Sequence, residues 1–187
     1  MSVLRSEGRS CSGALIDHDS SFSLLAVKIL GLTLMRLSEP ARITPYVQTV
    51  PLPSRCALPG EICSVSGWGT TDSDHCNPRL KCITVPVVDD QTCVETFPEY
   101  LFWGTMVCAG QNNTDNCLSG SSTVMVCDGQ LQGLKWFDHG CRDPAHPTVY
   151  SEMCMYNGWI KSMMENYAPD FQTTPETTLG STKPPSL

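Results

Sequence analysis

Positive charge is scarce in this 187-residue sequence: Lys and Arg number 12 against 19 Asp and Glu, for a formal net charge of -7. A surface that binds nucleic acid needs clustered Lys and Arg, so that class of partner is excluded. Long apolar runs are also missing. The main one, residues 24–35, is interrupted by Lys28 and is too short to span a bilayer. It reads as a buried strand, and no membrane span is expected. Residues 1–23 hold Asp17 and Asp19 and no apolar core, so they do not read as a secretory leader. No C-x-x-C pair occurs. His75 beside Cys76 offers the one approach to a metal site, and its spacing fits no common zinc pattern. No metal and no cofactor are therefore expected.

What is abundant is cysteine. Eleven in a chain of this size point to a disulfide framework and an oxidising compartment, with at least one thiol left over because the count is odd. Framework and N-terminus disagree, which a shortened product of a secreted-protein gene would reconcile. Short β-rich runs at residues 62–66, 83–88, 123–126 and 130–136 alternate with Gly, Pro, Asn and Asp turns, the pattern of an all-β barrel or sandwich. Residues 156–167 break it: Trp159, Ile160, Met163 and Met164 fall at helical spacing and are expected to dock a C-terminal helix on the core. Residues 168–187 are rich in Thr, Pro and Ser and are expected to form a disordered tail. Asn112-Asn113-Thr114 is an N-glycosylation sequon, meaningful only on the secretory route.

Several longer motifs occur in order. They are Cys11-Ser12-Gly13-Ala14-Leu15-Ile16-Asp17-His18, then Leu37-Ser38-Glu39-Pro40-Ala41-Arg42-Ile43, then Cys63-Ser64-Val65-Ser66-Gly67-Trp68-Gly69. Met106-Val107-Cys108-Ala109-Gly110 follows, then Asp115-Asn116-Cys117-Leu118-Ser119-Gly120-Ser121 with Cys127 beyond it. Val149-Tyr150, Cys154 and Trp159-Ile160 close the series. Together they resemble the trypsin- and kallikrein-like serine proteases, over nearly all of residues 11–167. The resemblance implies an all-β, chymotrypsin-like double β-barrel whose N-terminal barrel is incomplete. It divides the chain into a remnant of the first barrel at 1–46, a second barrel with its helix at 47–167, and the tail. It also implies the bridges Cys56–Cys154, Cys63–Cys127, Cys93–Cys108 and Cys117–Cys141. Cys11 and Cys82 match family positions whose partners are missing, and Cys76 has no counterpart; a local Cys76–Cys82 bridge is expected, with Cys11 free.

The resemblance places Ser121 at the nucleophile position. Serine acyl transfer also requires a base, a carboxylate that orients the base, paired N–H donors for the oxyanion, and a substrate pocket. The base is absent: counting from Cys11 to the place of the family's T-A-A-H-C histidine reaches Ala26, the stretch around that motif is missing, and His18 falls in an earlier turn. His139, near the substrate-binding edge, is the one conceivable substitute. Gly31 stands at the position of the orienting Asp. In the oxyanion loop Ser119 replaces a glycine and Gly120 replaces an aspartate. Losing a single oxyanion donor typically costs about 100- to 1,000-fold in rate. The pocket keeps Asp115, the residue that implies an Arg/Lys preference, beside Trp136. Phe137 and Thr148 replace glycines and narrow its entrance, and Lys135 replaces a serine and is expected to pair with Asp115.

The expected function is that of a serine endopeptidase homologue without peptidase activity. Two readings compete with it. One is a residual endopeptidase cutting after Arg or Lys through Ser121 and Asp115. The other is a non-catalytic binding or decoy protein for protease inhibitors or receptors, its contacts drawn from aromatic loops such as residues 97–103. The partners implied are a protease inhibitor or a protein or peptide substrate, and the location implied by the resemblance is extracellular.

Overall fold

The structure is a computed structural model, and it describes residues 2–6, 9–17, 22–27, 31–68, 80–98, 104–110, 118, 123–139 and 146–167. Two antiparallel sheets make up the fold. The first is a four-stranded meander of β1 (Ser2–Ser6), β2 (Arg9–Leu15), β3 (Phe22–Val27) and β4 (Gly31–Arg36), paired in that order. The run at residues 24–35 is therefore not one strand. It is the β3–β4 hairpin, with Val27 opposite Gly31 and Phe22 opposite Arg36.

The second sheet contains β5 (Ile62–Gly67), β6 (Lys81–Pro86), β7 (Met106–Ala109), β8 (Thr123–Cys127), β9 (Gln130–Phe137) and β10 (Thr148–Glu152). Its spatial order is β6-β5-β8-β9-β10-β7. Its two outer strands meet: Val87 bridges Ala109, Val88 N–H donates to Cys108 O at 2.8 Å, and Gly110 N–H donates to Pro86 O at 2.9 Å. The six strands thus close into a barrel, and closure removes the sheet's exposed edges. The four strands of the first sheet show no such pairing between β1 and β4 among the described residues. The incomplete first barrel is accordingly observed.

Strand β5 alternates exposed and buried positions, with Cys63 and Val65 inside, the period expected when one face is covered. Strand β8 is apolar at nearly every position because both faces are covered. Met125 and Cys127 point into the barrel with Val65, Val85 and Val107. Val124 points outward into a second cluster with Leu131, Leu134, Met153 and Ile160, and this cluster also takes in Ala14 and Ile16 from the N-terminal region. The remnant of the first barrel and the closed second barrel thus share one apolar core. Strands β8 and β9 are joined by Asp128 and Gly129 at φ 48° and 72°, the left-handed pair that a two-residue hairpin turn requires.

Helix α2 (Asn157–Tyr167) follows a single 3-10 turn at Met153–Tyr156. Ile160 is fully buried and Met164 packs on the outer cluster, so the helix docks as its spacing implies. Trp159 does not dock: it stays 41% exposed, because the stripe that faces the core is narrower than the apolar run. Sequence reading misses helix α1 (Asp90–Thr96). Its start is fixed by Asp89, whose carboxylate accepts from Thr92 N–H at 2.9 Å and from the Thr92 hydroxyl at 2.8 Å.

Three of the four implied bridges are present: Cys56–Cys154, Cys63–Cys127 and Cys93–Cys108. Cys117 and Cys141 lie outside the described residues, as does the tail at 168–187. The expected Cys76–Cys82 bridge does not form, since Cys82 is an exposed free thiol on β6; Cys76 lies outside the described residues. No helix among the described residues is long and apolar enough to cross a membrane.

Candidate functional site

The site is assembled at one end of the closed barrel, where β9 and β10 run out into loops. Strand β9 carries Gly133, Leu134, Lys135, Trp136 and Phe137 in succession. Gly133 is required by close packing: a Cβ there would stand 2.8 Å from the Cβ of Tyr150 on β10. Tyr150 itself is buried, and that burial pushes its phenol well above the usual range. This contact lets β9 and β10 lie close together and fixes the direction of the residues that follow.

Lys135 is the unusual member. Its side chain is only 7% exposed, and its ammonium donates to Leu118 O at 3.0 Å while forming an ion pair with Asp138. The carboxylate paired with it is that of Asp138, three residues along the same strand end, while Asp115, the partner expected from the sequence, lies outside the described residues. Burial pushes the lysine below its ordinary range, and Asp138 opposes that shift.

Trp136 and Phe137 sit side by side with ring centroids 6.1 Å apart, half-buried against the small cluster of Val88, Phe97, Cys108 and Val149. Phe137 pairs with Val149 and Thr148 pairs with Ala109, so both residues proposed to narrow the pocket stand on the adjoining ends of β9 and β10. His139 is exposed but not isolated. It lies parallel to Phe97 at 5.6 Å, edge-on to Phe137 at 4.9 Å and 4.7 Å from His146. This aromatic and histidine group was not legible in the sequence, since Phe97 comes from the end of α1 and His146 from the loop before β10.

Gly31, expected from the sequence at the place of the orienting Asp, opens β4. Ser121, Ser119, Gly120, Asn112, His18 and His75 lie outside the described residues, but Leu118, three residues before Ser121, is described and buried in the barrel core. At the other end of β10 from Thr148, Glu152 stands beside the Cys56–Cys154 bridge. Burial, and secondarily the charge of Asp90, push its carboxyl above the ordinary range.

Residues 30–160 match the family model named Trypsin. Trypsin-1 of Salmo salar is 38% identical over 137 residues, covering 72% of this chain and 56% of that protein. Kallikrein-14 of Homo sapiens is 39% identical over 140 residues, covering 72% of this chain and 52% of its own length. The chain thus spans a little over half the length of the curated relatives it matches. Among solved structures, kallikrein-related peptidase 10 in complex with Zn2+ superposes with a TM-score of 0.71 at 28% identity, covering 88% of this chain and 94% of that one. Neuropsin, a serine protease expressed in the limbic system of mouse brain, gives 0.64 at 35% identity, with 72% and 61% covered. A closed six-stranded barrel, a C-terminal helix, three bridges and these likenesses agree: the chain belongs to the trypsin family of chymotrypsin-fold serine proteases.

Proposed function

We propose that this chain is a trypsin-family homologue that does not hydrolyse peptides and acts by binding. The observation that carries this reading is the buried Lys135. Where the family has a small serine, this chain inserts an ammonium held by Asp138 and by the carbonyl of Leu118, on the loop that leads to Ser121. A lysine in that state is a donor with its acceptors already chosen, and a protonated amine has no lone pair with which to take a hydroxyl proton. The substitutions in the sequence support the same conclusion. Ala26 and Gly31 stand for the base and its orienting acid, and Ser119 and Gly120 disturb the oxyanion loop. Triad members act as a unit, so losing base and orienter together removes most of the rate enhancement. Asp115, Trp136, Phe137 and Thr148 then remain as the frame of a narrowed, cation-preferring pocket. Asn112 is a glycan acceptor if the chain reaches the extracellular space, and protease inhibitors or protein substrates of active relatives are the partners such a frame would take.

The test is a fluorophosphonate probe together with an arginyl amide substrate, applied to purified protein and to Ser121→Ala. No labelling and no turnover above buffer is the expected result. Labelling or turnover that disappears in Ser121→Ala would establish the endopeptidase reading instead.

A further inference from the structure

The Cys56–Cys154 bridge differs from the other two in its surroundings. Cys63 and Cys127 are both 1% exposed, as is Cys108 of the third bridge, whereas Cys56 and Cys154 are both only half-buried. Beside this bridge stands Glu152. One ligand atom from each of Cys56, Glu152 and Cys154 lies within 4.8 Å of the others. No hydrogen-bond donor among the described residues reaches the Glu152 carboxylate, which is half-buried and faces the charge of Asp90. A cation between it and the sulfurs would neutralise a charge that is costly to bury.

The two halves of this group are also held in place without the bridge. The segment leading to Cys56 is fastened to β9 and α2 by Leu131 N–H to Pro51 O at 2.9 Å, Gln132 Nε2 to Arg55 O at 3.1 Å and Asn157 Nδ2 to Pro53 O at 2.7 Å. On the other side, Glu152 N–H donates to Thr105 O at 2.9 Å, and Cys154 lies in the 3-10 turn whose Met153 is fully buried. Opening the S–S bond therefore leaves two Cα atoms that start 5.1 Å apart with little freedom to separate.

We propose that Cys56, Cys154 and Glu152 form a divalent-cation site, of zinc type, when their bridge is reduced. A dithiol reductant supplies two electrons and two protons to the S–S bond and itself closes to a disulfide, leaving two thiols here. The cation then displaces one proton from each thiol to solvent and takes a carboxylate oxygen from Glu152, with water in the fourth position. Two thiolates and one carboxylate are a donor set that selects zinc over magnesium or calcium. The site exchanges a covalent link across 98 residues for a coordinate one, so the strap stays attached in both redox states.

The experiment uses the whole chain carrying Cys11→Ser, Cys76→Ser and Cys82→Ser, which removes the three cysteines outside the four implied bridges. Mild reduction followed by alkylation and peptide mapping is expected to label Cys56 and Cys154 before Cys63 and Cys127; the reverse order overturns the proposal. Cobalt(II) alone is then titrated into oxidised and reduced protein, reading thiolate-to-cobalt charge-transfer absorption. Saturable absorption at one cobalt per chain is expected only after reduction. The oxidised chain is the folded control that differs in the bridge alone. Glu152→Gln is expected to weaken binding by about tenfold or more, and Cys56→Ser with Cys154→Ser to abolish the absorption. Equal absorption in that double variant, or equal affinity in Glu152→Gln, overturns the assignment.

Discussion

Lys135 and Asp138 form an ion pair between two side chains that are 7% and 15% exposed, at the point where β9 leaves the barrel. The pair accounts for a lysine in the wall of a small barrel, and it sets up an asymmetric response to substitution. Removing Asp138 as Asp138→Ala strands a buried ammonium with one remaining acceptor and should cost about 3–5 kcal/mol in denaturant unfolding. The double variant Lys135→Met with Asp138→Asn removes the charge from both sides and should recover most of that loss. Equal destabilisation of single and double variants would mean that the pair is not coupled.

Gly133 is expected to tolerate no side chain. A Cβ there would stand 2.8 Å from Tyr150 Cβ and 3.1 Å from Met125 Cε. Gly133→Ala should lower stability by about 1–3 kcal/mol, read as a shift in urea midpoint at unchanged slope. Gly129→Ala, where a Cβ meets open space but φ is 72°, should act instead through backbone strain, so the two losses should add.

Acid titration should separate two glutamates. Glu152 has its folded pKa raised above the ordinary 4.5, so the folded state holds its proton longer than the unfolded chain does. Its contribution is therefore favourable at acid pH and is lost as pH rises from about 4.5 through the folded value. Glu61 runs the other way. A hydrogen bond from Arg55, then one from Leu58 N–H, pulls it below 4.5, so its contribution is present above 4.5 and is lost as pH falls through the folded value. Subtracting the stability–pH curve of Glu152→Gln from that of the parent should give a descending step, and the same subtraction for Glu61→Gln an ascending one.

The division at residues 46 and 47 is tested by a fragment. Residues 47–167 contain every strand of the closed barrel and all three observed bridges. They lose Ala14 and Ile16, and with them the cover over Val124, Leu131 and Leu134. The fragment should keep a cooperative melt but at lower temperature than the whole chain, and should bind a hydrophobic dye. A fragment with no cooperative transition would make the N-terminal residues part of one indivisible unit.

Sequence alone determined the broad fold and much of the framework. Local alternation in residues 62–66 marks a strand whatever its neighbours are, and the family resemblance implies the three pairings that the structure contains. The departures that the resemblance implies at Gly31, Ser119 and Gly120 are read at the same level, because they are residue identities within shared motifs. Tertiary structure decided what depends on distant segments meeting. The run at 24–35 falls on two strands because Phe22–Val27 and Gly31–Arg36 pair antiparallel. Lys135 pairs with Asp138 because β9 ends there and brings that carboxylate to the buried ammonium. Phe97, His139 and His146 came together, as did Cys56, Cys154 and Glu152, only when the barrel closed, and no periodicity along the chain encodes such a closure.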